Sequence, residues 1–289
     1  MKFAYLIMAH HRFDILLLLL KDLDDKRNDI FLHIDKKTRD VDLLYFQKCV
    51  KNATLVFVDR MSVYWSDYSQ IKCVHALLKA AVKYGYHDYY HFLVGVEFPI
   101  KSQDYIHSFF EKNNGKEFVG YDLQCKNYLD RIRYYHFFGK YARTTSKRHH
   151  SLFLKGKELV SFQQKHGFSR IKLDESYYKK GYANWSITHE VALLFVQSVN
   201  KIKSKYRFTS CADEIIFHTI LYNSEYRDRI FDYNDEYHSA MRLTTWANSK
   251  NQLQMEDLEM ILCSDKLFAR KFDTNDAAEI IYKIIQLRE

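Results

Sequence analysis

The chain has 289 residues and 47% hydrophobic content, which is enough for a buried core in one large domain or two small ones. Its formal net charge of +8 favours anionic partners such as nucleotides, phospholipid surfaces or nucleic acid. Five cysteines without metal-ligand spacing or a CxxC pair argue against a zinc site and a disulfide framework, and no apolar run reaches the roughly 18 residues of a membrane span.

The first 122 residues alternate between continuous apolar runs and stretches with helical periodicity. In the stretch 66–84, Ile71 and Val74 belong to a set of apolar residues at helical spacing, behind possible caps at Ser66 and Asp67. This alternation predicts a mostly parallel sheet with helices on both faces. The predicted strands are 3–9, 29–35, 53–58, 89–96 and 117–121, and the predicted helices are 12–23 and 66–84.

The second part of the chain begins with a basic and aromatic stretch at 125–172, which we expect to pack over one edge of the sheet. Further on, Asp213 and Glu214 stand where a loop ends and a helix to about residue 222 begins. No linker, repeat or low-complexity tract divides the chain, so we predict a single α/β domain over 1–289. The other elements predicted here are a strand at 182–188 and helices at 190–202 and 276–287.

Several polar residues follow apolar strands, where open α/β sheets bind ligands. Asp35 ends the second strand, where its carboxylate is able to accept hydrogen bonds from a uracil imide or ribose hydroxyls; a simple turn or N-cap aspartate is the alternative. Glu97 follows the most apolar strand but is a single carboxylate, not a metal-holding Asp-x-Asp pair. Without a metal, a diphosphate must be neutralised by side-chain cations or helix termini.

Glu214 and Lys271 are the residues with the clearest chemistry. Glu214 is a carboxylate on a rigid helix start, able to act as a general base if it lies within hydrogen-bond reach of a hydroxyl; capping the helix is the alternative. Lys271 stands between Ala269 and Phe272 and is able to hold a departing anion, although its own segment, taken alone, favours a solvated lysine with a buried stem.

In order along the chain, the segments AYLIMAHHR, FLHIDKK, VYWSDYSQIKCVHALLKAA, YYHFLVGVEFPIKS, GYANWSITHE, SCADE, RLTTW and KLFARKFD resemble the core-2/I-branching N-acetylglucosaminyltransferase family. The resemblance covers nearly the whole chain and is weakest between about 125 and 172. It implies a GT-A-like nucleotide-sugar fold, with a nucleotide-binding half at 1–122 and an acceptor and catalytic half at 123–289. It also implies a UDP-sugar donor, inversion at the anomeric carbon, and no metal or other cofactor.

The resemblance assigns roles to individual residues. Glu214 matches the family's catalytic base, although Ala212 replaces the usual proline before it. Lys271 matches a lysine that contacts the UDP diphosphate, and Asp35 an aspartate near the uridine. The family's second diphosphate cation, an arginine, has no clear counterpart; Lys250 is nearest and Arg242 is the alternative.

On the acceptor side, Trp246 matches a family tryptophan. We place Glu97, Arg131 and Arg133 there as further candidates. The acceptor is expected to be a glycan or a lipid-linked oligosaccharide, and the transferred sugar N-acetylglucosamine, with xylose and glucuronic acid as alternatives. We expect a cytoplasmic protein, peripheral at the inner face of the cell membrane if its basic stretch meets anionic lipid.

Two other classes of function remain open at this stage. The net charge and the interleaved aromatics of 127–150 fit a non-catalytic nucleic-acid-binding protein, but no recognised binding module occurs and we expect no nucleic-acid partner. A glycoside hydrolase would need two acids at a set separation, which the adjacent Asp213 and Glu214 do not provide.

Overall fold

The structure is a computed structural model that describes residues 1–171, 174, 176–245 and 252–288. Its strands are short or moderate in length and occur throughout the chain. They are β1 (Phe3–Ala9), β2 (Asn28–Ile34), β3 (Thr54–Phe57), β4 (Tyr89–Val94), β5 (Glu97–Pro99), β6 (Ser186–Thr188), β7 (Arg242–Thr244) and β8 (Phe268–Arg270).

The helices lie between these strands, and the longest is in the basic stretch. They are α1 (Phe13–Asp22), α2 (Leu43–Cys49), α3 (Ser69–Tyr84), α4 (Gln103–Lys112), α5 (Asp130–Arg133), α6 (Lys147–Lys165), α7 (His189–Tyr206), α8 (Asp213–Tyr222), α9 (Glu236–Ala240), α10 (Leu258–Cys263) and α11 (Ala277–Leu287). No helix among the described residues combines the length and apolarity that a bilayer crossing requires.

The central sheet has the strand order β3-β2-β1-β4-β6. The pairs β1–β2, β1–β4 and β2–β3 are parallel, and β6 closes the sheet antiparallel to β4. A smaller sheet has the order β5-β8-β7, in which β8 pairs antiparallel with β5 and parallel with β7. The α/β fold class with a mostly parallel, helix-flanked central sheet is therefore confirmed.

Both faces of the central sheet are covered by apolar layers. Alternate residues of β1 point into different layers: Phe3, Tyr5 and Ile7 pack with residues of α1, α4 and α11, whereas Ala4 and Leu6 pack with residues of α3, α7 and α8. Burial on both faces explains why the parallel strands read as continuous apolar runs. The polar carboxyl ends of β1, β2 and β4 are then available to line a site.

Three predicted elements need correction. Residues 117–121 form only isolated bridges, such as the one between Phe118 and Ser186, and no continuous strand. Helix α3 begins at Ser69, because Ser66 adopts a left-handed φ of 66° and Asp67 accepts a hydrogen bond from the Ser69 N–H at 2.8 Å. The strand predicted at 182–188 is shortened to Ser186–Thr188.

Candidate active site

Glu214 lies in the first turn of α8, and its side chain is 28% exposed. Two cations face it: the Arg131 Nη1 is 2.5 Å from its Oε2, and the Lys180 Nζ is 3.8 Å from the same oxygen. The Ser210 N–H donates to the Arg131 carbonyl at 2.9 Å, which ties α5 to the loop before α8. Glu214 is thus an accessible carboxylate held by its neighbours in one orientation.

Two further acids complete this cluster. Lys180 pairs with Asp122 at 2.8 Å, so its ammonium lies between two carboxylates. Burial raises the pKa of the Glu236 carboxyl to about 7, because the nearby Lys180 charge does not offset the desolvation and the negative charges of Asp122 and Glu214. The cluster therefore contains a carboxyl that titrates near neutral pH beside Glu214.

A glycine contact holds the Lys180 loop against α8. The Gly181 N–H donates to the Glu214 carbonyl at 3.0 Å. A Cβ at Gly181 would lie 1.8 Å from the Gly120 carbonyl oxygen, and a Cβ at Gly120 would lie 2.1 Å from the Glu236 carbonyl oxygen. Only glycine fits at both positions, and the close packing places the Asp122, Lys180 and Glu236 segments around Glu214.

Asp213, the neighbour of Glu214, faces α3. The Gln70 side-chain amide donates to its Oδ2 at 3.3 Å. Burial, followed by the charge of Glu214, raises the pKa of the Asp213 carboxyl to about 7. The two adjacent carboxylates therefore have different environments: Glu214 pairs with cations at the surface, and Asp213 contacts an uncharged amide.

Hydrogen bonds from the loop 63–66 connect the end of β2 with the loop before α8. At one end, the Val63 N–H donates to Asp35 Oδ2 at 3.3 Å. At the other, the Ser66 carbonyl accepts from the Cys211 N–H at 3.1 Å, and the Ser66 and Ser210 hydroxyls are 2.6 Å apart. The segments carrying Asp35 and Glu214 are thus connected through this loop, on which 48% of Trp65 is exposed. We call the region formed by Asp35, Trp65, Glu214 and the side chains around them the candidate cleft.

Asp35 is buried at the carboxyl end of β2, as the sequence predicts. Its Oδ1 accepts from the Lys37 N–H at 2.8 Å, and the Lys37 ammonium lies 3.1 Å from Oδ2. The same ammonium also bonds the Val63 carbonyl and lies over the Tyr64 ring. Asp35 is therefore already partnered, and a ligand at this strand end would meet it as part of a hydrogen-bonded turn.

Lys271 directly follows β8 and is half-buried, and its pKa is lowered by burial and then by the positive charges of Arg270 and Arg143. The Arg143 guanidinium lies 4.3 Å from the centre of the Trp65 ring. Two residues after Lys271, Asp273 pairs with His11 at 2.9 Å, which ties this segment to the end of β1. The charges of Lys271 and Arg143 are therefore close enough to interact, and Arg143 also contacts Trp65.

Arg242 and Glu97 form a buried ion pair. The Arg242 Nε lies 2.6 Å from Glu97 Oε1, and both side chains are 0% exposed. Glu97 also accepts from Asn184 at 2.5 Å, and Arg242 donates to the Ala240 carbonyl at 2.7 Å. The expectations that Arg242 binds the diphosphate and Glu97 the acceptor are corrected, because neither side chain reaches a surface that a ligand could contact.

The remaining predicted site residues differ in position. Arg131, which we expected on the acceptor side, lies beside the candidate base Glu214. Arg133, two residues later, pairs with Asp130 at 3.6 Å, and its guanidinium lies 5.9 Å from the centre of the Tyr134 ring. Trp246 and Lys250 lie outside the described residues.

Sequence reasoning missed several residues of the cleft. They include Lys180, Asp122, Glu236 and Arg143. Nothing in the sequence distinguishes these residues from other charged residues, because each enters the cleft through contacts between distant segments. No group of three or more histidine, cysteine or acidic side chains suited to a metal ion occurs in the part of the chain that the structure describes.

Comparison with known proteins places the chain in a family. The family model of the Core-2/I-Branching enzyme matches residues 3–267. Mouse Xyloside xylosyltransferase 1, in its apo form, aligns over 92% of this chain and 96% of its own at 12% identity and a TM-score of 0.36. The apo glycosyltransferase GlyE of Streptococcus pneumoniae TIGR4 aligns over 98% of this chain and 60% of its own at 9% identity and a TM-score of 0.35.

These two structural likenesses are weak, and a search of curated proteins returned no match. The family match is different, because it spans most of the chain. The motifs around Asp35, Glu214 and Lys271 that carried the resemblance fall on the cleft described above. The chain belongs to the Core-2/I-branching enzyme family and is a glycosyltransferase.

Proposed function

We propose that the chain transfers a sugar from a UDP-sugar to a hydroxyl of a glycan or lipid-linked acceptor, by a metal-independent reaction with inversion. N-acetylglucosamine is the proposed sugar, with xylose and glucuronic acid as alternatives within the same family. The observation that carries the proposal is the Glu214 carboxylate, partly exposed at a helix start beside two cations in a chain of this family. Within a GT-A-like fold, residues 1–122 would supply most of the nucleotide site and 123–289 the acceptor site.

Glu214 is the proposed general base. Its carboxylate removes the proton from the attacking acceptor hydroxyl, whose oxygen forms the new bond to the anomeric carbon as the bond from that carbon to UDP breaks. The exposed fraction of Glu214 gives a hydroxyl access to it, and Arg131 and Lys180 fix its orientation. We retain Arg131 on the acceptor side, since an acceptor that reaches Glu214 must also contact Arg131.

The departing UDP carries away negative charge, which cations must stabilise if no metal does. We propose Lys271 for one diphosphate contact and Arg143 for the second, which the sequence left unassigned. In support, Arg143 stacks on Trp65 at the cleft, and its charge is close enough to Lys271 to lower the pKa of that lysine. A cation that is placed near another cation by the fold is stabilised when an anion binds between them.

Calorimetric titration of UDP in EDTA tests the nucleotide site. Binding in the micromolar range is expected for the wild-type chain and for Glu214→Gln, because Glu214 acts on the acceptor. Binding only after manganese is added would overturn metal independence, and no binding under either condition would overturn the UDP site.

Turnover tests the base. UDP release from each candidate UDP-sugar, with and without glycan acceptors, should identify the donor. With that donor and an accepted glycan, Glu214→Gln should lose transfer by roughly 10²–10⁴-fold. Glu225→Gln, at an exposed glutamate after α8, is the matched control and should retain full activity. A Glu214→Gln variant within tenfold of wild type would exclude this base.

A further inference from the structure

Helix α6 is 19 residues long, yet only Gly156 and Gln163 are buried. Gly156 packs on the Phe138 side chain, where an added Cβ would lie 3.4 Å from two of its atoms. The Gln163 side chain accepts from the Tyr135 N–H at 2.9 Å and donates to the Tyr135 carbonyl at 3.2 Å. One face of the helix is therefore fixed to the protein. The opposite face, here called the free face, is exposed, and its Phe162 ring contacts that of His166, just after the helix, with 4.2 Å between the ring centroids.

The free face combines apolar side chains with charged ones, two of them cationic and one, Glu158, anionic. Lys147, Leu154, Glu158, Phe162 and Lys165 are separated by seven, four, four and three residues, so they form one stripe along the helix. All five are exposed, with Leu154 at 45% and Phe162 at 58%. Large apolar side chains at such exposure, within a cationic surface, are typical of helices that lie in the interface of a bilayer.

The charge of this helix is not explained by its own stability. It carries five lysine or arginine side chains and one glutamate, a formal charge of +4, which is half of the chain's net +8. Lys147 and Arg148 stand in the first turn, which contains no acidic residue. The helix dipole favours anions at that end, so these cations are placed against it. A negatively charged surface outside the protein would compensate both the repulsion among these cations and their unfavourable position at the positive end of the helix dipole.

We propose that the free face of α6 docks on an anionic lipid bilayer, with the cations near the phosphate groups and Leu154 and Phe162 inserted among the lipid chains. The structure also relates this surface to the cleft. Arg143, whose guanidinium lies on the Trp65 ring, stands only four residues before Lys147, so its Cα lies within about 14 Å of the Cα at which the helix begins. Docking would thus bring the cleft near a membrane without depending on the identity of the donor.

Vesicle sedimentation tests the proposal directly. Wild-type protein should bind phosphatidylcholine vesicles that contain about one third phosphatidylglycerol at least tenfold more tightly than pure phosphatidylcholine vesicles, and salt should weaken the binding. Lys147→Gln with Arg148→Gln should reduce the affinity several-fold. The matched control is Lys48→Gln with Lys51→Gln, two exposed lysines near α2, and should bind as wild type does. Equal affinity for both vesicle types would overturn the proposal.

The apolar residues separate a bilayer from other polyanions. Leu154→Ser with Phe162→Ser should lower vesicle affinity about tenfold and leave affinity for a single-stranded oligonucleotide unchanged. Tyr282→Ser with Leu287→Ser, which removes side chains of similar exposure (55% and 60%) from α11, is the control. If the charge variant alone weakens vesicle binding, the surface recognises polyanions in general and bilayer docking is wrong. Circular dichroism melts would verify that each variant is folded.

Discussion

The Arg131 guanidinium donates to the Glu214 carboxylate at 2.5 Å across 83 residues of sequence. Burial alone favours the neutral form of Arg131, but the charge of Glu214 and its hydrogen bond, with smaller contributions from nearby groups, together raise the pKa of the guanidinium. An acceptor hydroxyl that approaches Glu214 therefore meets a carboxylate whose Oε2 already accepts a hydrogen bond from Arg131. Arg131 therefore positions the base in the proposed reaction.

We expect Arg131→Gln to lower kcat by about 10- to 100-fold, because a misplaced base loses its alignment with the hydroxyl. UDP affinity should not change, and Arg131→Lys should recover part of the lost rate. Arg229→Gln, which breaks the surface pair with Glu190 at 3.8 Å, is the control. Steady-state kinetics with varied acceptor would show the effect, and an unchanged kcat would contradict a positioning role.

Loss of either proposed diphosphate cation should weaken UDP binding. We expect Lys271→Ala and Arg143→Ala each to raise the Kd for UDP by roughly 10-fold or more, since a hydrogen bond to a charged group contributes about 1.5–3 kcal/mol. Arg207→Ala is the matched control, because Arg207 is also exposed and also lies over an aromatic ring, that of Phe208 at 4.8 Å. Calorimetry measures the Kd for UDP of each variant. Wild-type affinity in Arg143→Ala would show that another cation makes the second diphosphate contact.

Asp213 should make stability fall as pH rises. Its pKa is about 7 in the folded chain and about 4 when unfolded, so the folded state binds more protons between these values. Stability is therefore lost progressively from about pH 4 to pH 7, and the loss is complete above that range. Asp213→Asn lacks this dependence, so its free energy of unfolding relative to wild type should rise by about 2–3 kcal/mol between pH 5 and pH 8.

Urea unfolding at the two pH values measures this difference. Asp59→Asn, at an exposed aspartate after β3, serves as the control and should follow wild type at both. The prediction fails if the difference between Asp213→Asn and wild type is the same at pH 5 and pH 8.

The glycine contact beside Glu214 should tolerate no side chain. Gly181→Ala would place a Cβ 1.8 Å from the Gly120 carbonyl oxygen, a backbone atom that cannot move away without separating the two segments. We expect a loss of about 4 kcal/mol or more in the free energy of unfolding, or a chain that does not fold. Gly85→Ala is the control, since a Cβ there meets nothing within 4 Å. Equal urea midpoints for the two variants would refute the contact.

The sequence predicted the central sheet well because its strands are buried on both faces. Continuous apolar runs such as 3–9 and 89–94 have no other common explanation when helices lie between them. These runs also predicted where the strands end, and therefore the position of Asp35 at the end of β2. By contrast, β5, β7 and β8 have three residues each, too few for any periodicity to show, so the smaller sheet was not predicted.

The candidate site was predicted only where local sequence carries its chemistry. Glu214 was identifiable because a helix start follows a loop within its own segment. Its partnership with Lys180 depends on the backbone contact between Gly120 and Gly181, which no local pattern encodes. Arg143 belongs to a stretch where many residues are basic, and only its stacking on Trp65 separates it from the others.

The buried pair of Glu97 and Arg242 affects how mutational data on this protein should be interpreted. Glu97 lies on β5 and Arg242 on β7, on either side of the strand that leads to Lys271. Removing one partner leaves the other charge without compensation in the interior, at a cost of about 3–5 kcal/mol. An inactive variant at either position would therefore record a damaged scaffold, and its lost turnover would carry no information about which groups touch the sugar.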